Sequence, residues 1–199
     1  GPLSATELRA WLPTRDGKPS WFAEQKRDKA ADLGTITHAR IEAWLKGTTL
    51  DPEGLPEDLY AMSVNGFDRF RKWWDTRGYV VRHSELQMVS EEMQVGGTLD
   101  IGATLPEHFG HGIDVVDIKS SKASRYWPYK EHKSQPQTYG RIWTELNHAP
   151  VHNVWVYRCG TAPNDPGEDY MLTQAEREAG NMLFDGALLA YNAGKVLEK

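Results

Sequence analysis

The sequence predicts an α/β (α+β) fold, a central mixed β-sheet flanked by helices. Three observations carry that expectation. The chain reads as helices, then three strands, then a helix, two more strands and a last helix. Its most regular strand, Val115-Val116-Asp117-Ile118-Lys119, alternates at period two, so Asp117 and Lys119 share one face while Val116 and Ile118 share the other. At 199 residues, 39% hydrophobic and 26% charged, the chain is long enough to bury a sizeable core around such a sheet.

The elements follow in order. Residues 20–46 read as a helix with Ser20 at the N-cap position and an interruption near Leu33-Gly34-Thr35; Ile41, Trp44 and Leu45 form its apolar stripe. Thr48 to Pro56 is a turn-rich connector. A second helix covers Glu57–Thr76, burying Leu59, Met62, Phe67, Phe70, Trp73 and Trp74, and Arg77-Gly78 closes it. Strands are expected over Tyr79–Val89, Gln94–Ala103 and Ile113–Lys119, with Gly96-Gly97 and the Pro106–Gly112 stretch marking the connections. A long loop to His132 leads into a helix over Lys133–Leu146, which places Pro136 in the first turn. Asn153–Tyr157 is the next strand, Gly160–Gly167 a turn, and Tyr170-Met171-Leu172 the hairpin partner. Thr173 with Glu176 three residues on is a capping box, opening a helix that runs to about Asn192.

Bulk properties exclude several classes. No apolar run approaches the ~20 residues that span a bilayer, and no signal-peptide pattern is present. Gly1-Pro2-Leu3 reads as a protease scar, leaving 4–199 as an expected single domain. The lone Cys159 excludes an intramolecular disulfide and any zinc or iron–sulfur centre ligated by cysteines of this chain alone; it fits a reducing, cytoplasmic setting. A net charge of −5 argues against nonspecific nucleic-acid binding by the whole surface. The charge is uneven, however. Between Lys119 and Arg141 six cations stand against the single anion Glu131, so this segment is +5 and the remainder −10. Such a stripe suits phosphate, and it equally suits a solvated loop and helix face.

Asp100, closing Gly96-Gly97-Thr98-Leu99-Asp100, precedes Asp117 by seventeen residues. Two carboxylates and the Lys119 ammonium on neighbouring strands suit a hard divalent cation, which takes oxygen ligands and leaves positions for substrate phosphate and water. An Asp-x-Lys triplet also arises by chance on solvated strands. Downstream, Tyr126-Trp127-Pro128-Tyr129 lies between Arg125 and Lys130, with Lys122 nearby. Aromatics among cations can stack unpaired bases while tracking phosphates; the alternative is a loop packed onto the body by its own rings.

Gly34-Thr35-x-x-His38-x-x-x-Glu42, Gly97-Thr98-Leu99-Asp100, Asp117-Ile118-Lys119 and Gln135-x-x-x-Tyr139 occur in that order. This series, spanning residues 33 to 139, resembles the RecB-like, phage-type exonuclease branch of the PD-(D/E)xK nuclease superfamily. The resemblance implies a restriction-endonuclease-like core with N-terminal helices carrying the histidine motif. It implies Asp100 and Asp117 as metal ligands, His38 as a further ligand, and Lys119 as the residue that orients or deprotonates the attacking water. The Ile118 carbonyl and Glu85 are additional candidate ligands. Gln135 and Tyr139, on one helical face by their i, i+4 spacing, would contact substrate or brace the site. The implied activity is metal-dependent DNA exonuclease, with Mg²⁺ or Mn²⁺ as cofactor and a single strand or duplex end as substrate. The implied setting is a bacterial or phage-infected cytoplasm, alongside a replication or recombination partner. Two alternatives stand: a non-catalytic nucleic-acid-binding or scaffolding protein, and a restriction-type endonuclease, against which His38 and Gln135-x-x-x-Tyr139 argue. Glu42, His83, His108, His111 and His132 read as solvated or structural.

Overall fold

The computed structural model describes residues 20–120 and 127–197, with side chains from Asp28 onward. Lys122, Arg125 and Tyr126, the N-terminal tripeptide and the Ser20 cap therefore lie outside the described residues or side chains. The elements are α1 (Ser20–Leu45), α2 (Glu57–Arg77), β1 (Val80–Ser90), β2 (Val95–Thr104), β3 (Ile113–Lys119), α3 (Lys130–Asn147), β4 (Val151–Arg158), β5 (Glu168–Met171) and α4 (Gln174–Leu197). They form the expected mixed sheet flanked by helices. The five strands lie in sequence order, antiparallel except for the parallel pair β3–β4. A parallel pair needs a long crossover, and α3 supplies it.

The sheet separates two cores, and the period-two pattern of β3 feeds both. Val116 and Ile118 join Ile41 of α1, Phe70 and Trp74 of α2, and Tyr157 of β4 on one face. Ile113 and Val115 join Ile142 and Trp143 of α3 on the other. On the first face, Phe70, Trp73, Trp74 and Trp44 pack edge-to-face or tilted at 5.6–6.4 Å, the geometry aromatic quadrupoles prefer. Gly78 ends α2 at φ 66°, a left-handed conformation that glycine adopts without steric penalty.

Local details differ from expectation in several places: Gly96-Gly97 lies inside β2 and not in a connection, β5 begins at Glu168, and α4 continues past Asn192 to Leu197. Helix α1 is continuous through Gly34, and Leu33 and Ile36 pack with Leu59 as a third cluster. That tertiary burial offsets the low helix propensity of Gly34 and Thr35. Helix α3 begins at Lys130, so Pro136 lies inside it and has no N–H for the carbonyl of His132. Burial of Pro136, Gln137 and Thr138 holds the helix through that gap, with Gln137 bonded to Asn181 and Arg177 of α4. Strand β4 starts two residues early, at Val151. The capping box forms as read: Glu176 N–H donates to Thr173 Oγ1 and Thr173 N–H to Glu176 Oε2.

Candidate active site

Asp100 and Asp117 become neighbours through strand register. Ile101 pairs with Val116, and one step further along the antiparallel pair brings residue 100 opposite residue 117. At this point β2 changes character. Leu99 joins the α3-side core while Ile101 and Ala103 join the α1/α2 side, so side-chain alternation breaks at Asp100. On β1, Glu85 lies between Ser84, paired with Ile101, and Leu86, paired with Leu99. Its backbone is left-handed at φ 50°, a conformation that costs a non-glycine residue about 1–3 kcal/mol and is held by its surroundings. The break on one strand and the strained residue on the other bring two carboxylates to the same place.

His38 of α1 reaches that place from above the sheet. Its Nε2 lies 3.0 Å from the Ile118 carbonyl oxygen. A carbonyl can only accept, so Nε2 carries the proton and donates. Nδ1 then faces the acids, 3.4 Å from Glu85 Oε1 and 3.8 Å from Asp100 Oδ2. One atom each from His38, Glu85 and Asp100 lie within 4.8 Å of one another. Asp100 Oδ2 also accepts the Ile118 backbone N–H at 2.7 Å. An imidazole whose second N–H is anchored on a backbone carbonyl is the usual arrangement of a metal-ligating histidine, and the Ile118 carbonyl orients His38 in this way. One nitrogen with several carboxylate oxygens is a donor set that fits Mn²⁺ or Mg²⁺.

Asp117 and Lys119 stand on the opposite side of β3 from Ile118. Asp117 is fully enclosed and pairs with Lys119 Nζ at 2.7 Å. The ammonium is also held by Gln135, to whose Oε1 it donates at 2.9 Å. Gln135 Nε2 in turn donates to the Tyr139 hydroxyl at 2.9 Å. Behind that ring Gly97 leaves no room for a side chain: a Cβ there would sit 2.5 Å from Tyr139 Cε1.

The electrostatics are those of crowded acids in a dry place. Burial, then the charge of Asp100, pushes the Asp117 carboxyl up to about 7, against the pull of Lys119. Burial also raises Asp100. Burial works to lower His38, but the Glu85 hydrogen bond and the charges of Asp100 and Glu85 outweigh it and leave its pKa raised. Protons retained on clustered acids mark a shortage of positive charge that a divalent cation would relieve. Asp114, also buried, accepts from the Tyr79 hydroxyl at 2.7 Å and the Asn153 N–H at 3.1 Å.

The other predicted residues are placed differently. Glu42 pairs with Lys46 one turn along α1. Trp127 is half-buried, packed against the α3-side core with its ring edge-on to Tyr170 at 6.3 Å. Lys130 is exposed and 3.7 Å from Glu131. His83 packs tilted against Trp143 at 4.7 Å, and His108 against His152 at 4.6 Å. His132, read as solvated or structural, has its pKa lowered by burial and then by the charge of Lys119, and its ring packs edge-on to Tyr129 at 5.0 Å. Its position depends on where α3 begins, which the sequence pattern does not mark.

Neither a family model nor a curated protein matches the sequence. Among solved structures, the chain is similar to the crystal structure of a "putative exonuclease" from Eubacterium rectale. The match has a TM-score of 0.55 at 10% sequence identity, and covers 81% of this chain and 68% of that one. At that identity the likeness is one of fold, and the mixed sheet with its flanking helices is consistent with a restriction-endonuclease-like core.

Proposed function

We propose that the chain is a metal-dependent DNA exonuclease that hydrolyses phosphodiester bonds by attack of water. The observation that carries this reading is the placement of Lys119. Its ammonium is clamped between buried Asp117 and Gln135, and Asp117 and Asp100 share one stretch of the β2–β3 pair. A purely structural lysine has no need of a second acid on the neighbouring strand.

His38, Glu85, Asp100 and Asp117 would hold the cation, which when bound supplies positive charge to the phosphoryl oxygens and lowers the pKa of a water. Lys119, which donates to Gln135 Oε1, holds the attacking water in line and offsets charge accumulating on the phosphate. Gln135 and Tyr139 keep the ammonium from swinging away, the kind of positioning that accounts for large rate factors. The cationic stretch from Lys119 to Arg141 favours a phosphodiester chain as substrate. A cellular setting in DNA replication, recombination or repair follows from the resemblance of the motifs, and no helix among the described residues is long and apolar enough to cross a membrane.

The test uses wild type and Lys119→Ala on end-labelled single- and double-stranded DNA in Mg²⁺, Mn²⁺ and EDTA. Metal-dependent shortening that the variant lacks is expected, with covalently closed circles left intact. Nicking of the circle would point to a restriction-type endonuclease. Binding without cutting under every condition would leave a nucleic-acid-binding module and overturn the proposal.

A further inference from the structure

A second recess borders the site on the side away from His38. It is a groove of about 310 Å³ between α3, α4 and the start of β2, walled by Tyr139, Ile142, Leu183, Phe184 and Ala187, with Gln135 on its rim. We propose that this groove receives one unpaired nucleobase of the strand being cut, so that the substrate at the site is a single strand or a frayed end. The proposal rests on the nuclease reading and specifies its substrate.

Three features of the molecule point to a base. The groove is continuous with the site, because Gln135 belongs to both: it accepts from Lys119 Nζ at 2.9 Å and borders the recess. A group bound there is one side chain away from the phosphate position, the relation a base has to its own backbone. Its volume lies at the small end of ligand pockets, ~300–1,000 Å³, enough for one planar ring system. Its walls are chiefly apolar with two aromatic rings, while Glu131, Ser134, Gln135 and Thr138 supply the polar part of the lining. Such a slot stacks any base with little sequence preference, as single-strand binders do. Outside the groove lining, Arg141 lies above the Phe184 ring at 5.7 Å and pairs with Asp185 at 2.7 Å. On the β2 side the groove is lined by Val95 and Gly96.

The experiment walks a single abasic residue along a labelled DNA strand, and measures cutting in Mg²⁺ and binding by anisotropy in Ca²⁺. Wild type is expected to cut and bind the strand about tenfold or more less well when the abasic residue falls at one position, the loss of one stacked base. Phe184→Ala, and Ala187→Phe, which fills the recess, should bring the intact and abasic strands together in both assays. Equal handling of every strand by wild type overturns the proposal. So does a wild-type preference that both variants keep. If Ala187→Phe instead lowers the mass of the protein in solution while the preference survives, the groove is an interface between copies of the chain. Absence of cutting by wild type in both Mg²⁺ and Mn²⁺ defeats the nuclease reading, and the anisotropy difference still decides the groove.

Discussion

Gly97→Ala is the substitution whose effect the structure specifies most closely. The new methyl would lie 2.5 Å from Tyr139 Cε1 and 3.3 Å from Cδ1 and Cζ, where ordinary contact begins at 3.4 Å. Gly97 is paired to Met88 within the β1–β2 ladder, so the backbone has little room to yield. The ring must retreat by about 1 Å, the scale at which overpacking costs about 1–3 kcal/mol. The hydroxyl moves with it and leaves the 2.9 Å bond from Gln135, since a neutral hydrogen bond is lost beyond ~3.5 Å. Gln135 then no longer fixes Lys119. A 1 Å misplacement of this kind can slow a reaction about 10²-fold. Stability by urea denaturation and single-turnover cutting of labelled DNA would both be measured. The decisive comparison is Gly97→Ala, Tyr139→Ala and the double variant, because removing the ring removes the clash. A coupling of at least about 1 kcal/mol is expected, and additivity within ~0.5 kcal/mol would refute the contact.

Four further outcomes follow from particular residues. At Glu85, with φ 50°, glycine relieves strain that alanine keeps, so Glu85→Gly should be about 1 kcal/mol more stable than Glu85→Ala in thermal melts while both lose Mn²⁺ affinity; equal stability would deny the strain. His38→Ala should weaken Mn²⁺ binding by at least about tenfold in titration calorimetry, a loss typical even of a ligand's supporting partner, and an unchanged isotherm would remove His38 from the cation. Arg158, 3% exposed, is forked onto Asp165 at 2.6 and 2.8 Å. Asp165→Ala strands that cation, and with Glu168 3.6 Å away as a partial substitute the loss should fall near the lower end of about 3–5 kcal/mol; a change under ~1 kcal/mol would mean that water reaches the guanidinium. For Glu176, burial acts to raise the carboxyl, but hydrogen bonds from Lys133 and Tyr170 prevail and hold it at about 2, against an ordinary 4.5. A folded pKa below the unfolded one stabilises at pH above the unfolded value and is lost as pH falls through the folded value. Wild type should therefore lose more stability than Glu176→Gln between pH 4.5 and 2, and parallel curves would contradict the sign.

The sequence by itself determined what local periodicity and local chemistry encode. Alternation over Val115–Lys119 set the strand bounds and put Asp117 and Lys119 on one face, because a pleated strand has a period of two whatever surrounds it. Thr173 and Glu176 announced the start of α4, since a capping box closes within four residues. The aromatic side of α2 was legible for the same reason, at helical spacing. Tertiary structure decided the rest. Nothing local says that β2 breaks its alternation at Asp100, that Glu85 turns left-handed opposite it, or that His38 anchors on the Ile118 carbonyl eighty residues away. Those facts depend on strand register and on how α1 docks. The continuity of α1 through Gly34 and the interior position of Pro136 likewise follow from burial that outweighs propensity. The groove beside Gln135 exists only because α4 lies against α3, and no residue of α4 carries a signal for it. Periodicity reports which face of an element is buried; a site assembled from five elements is set by the packing that brings those faces together.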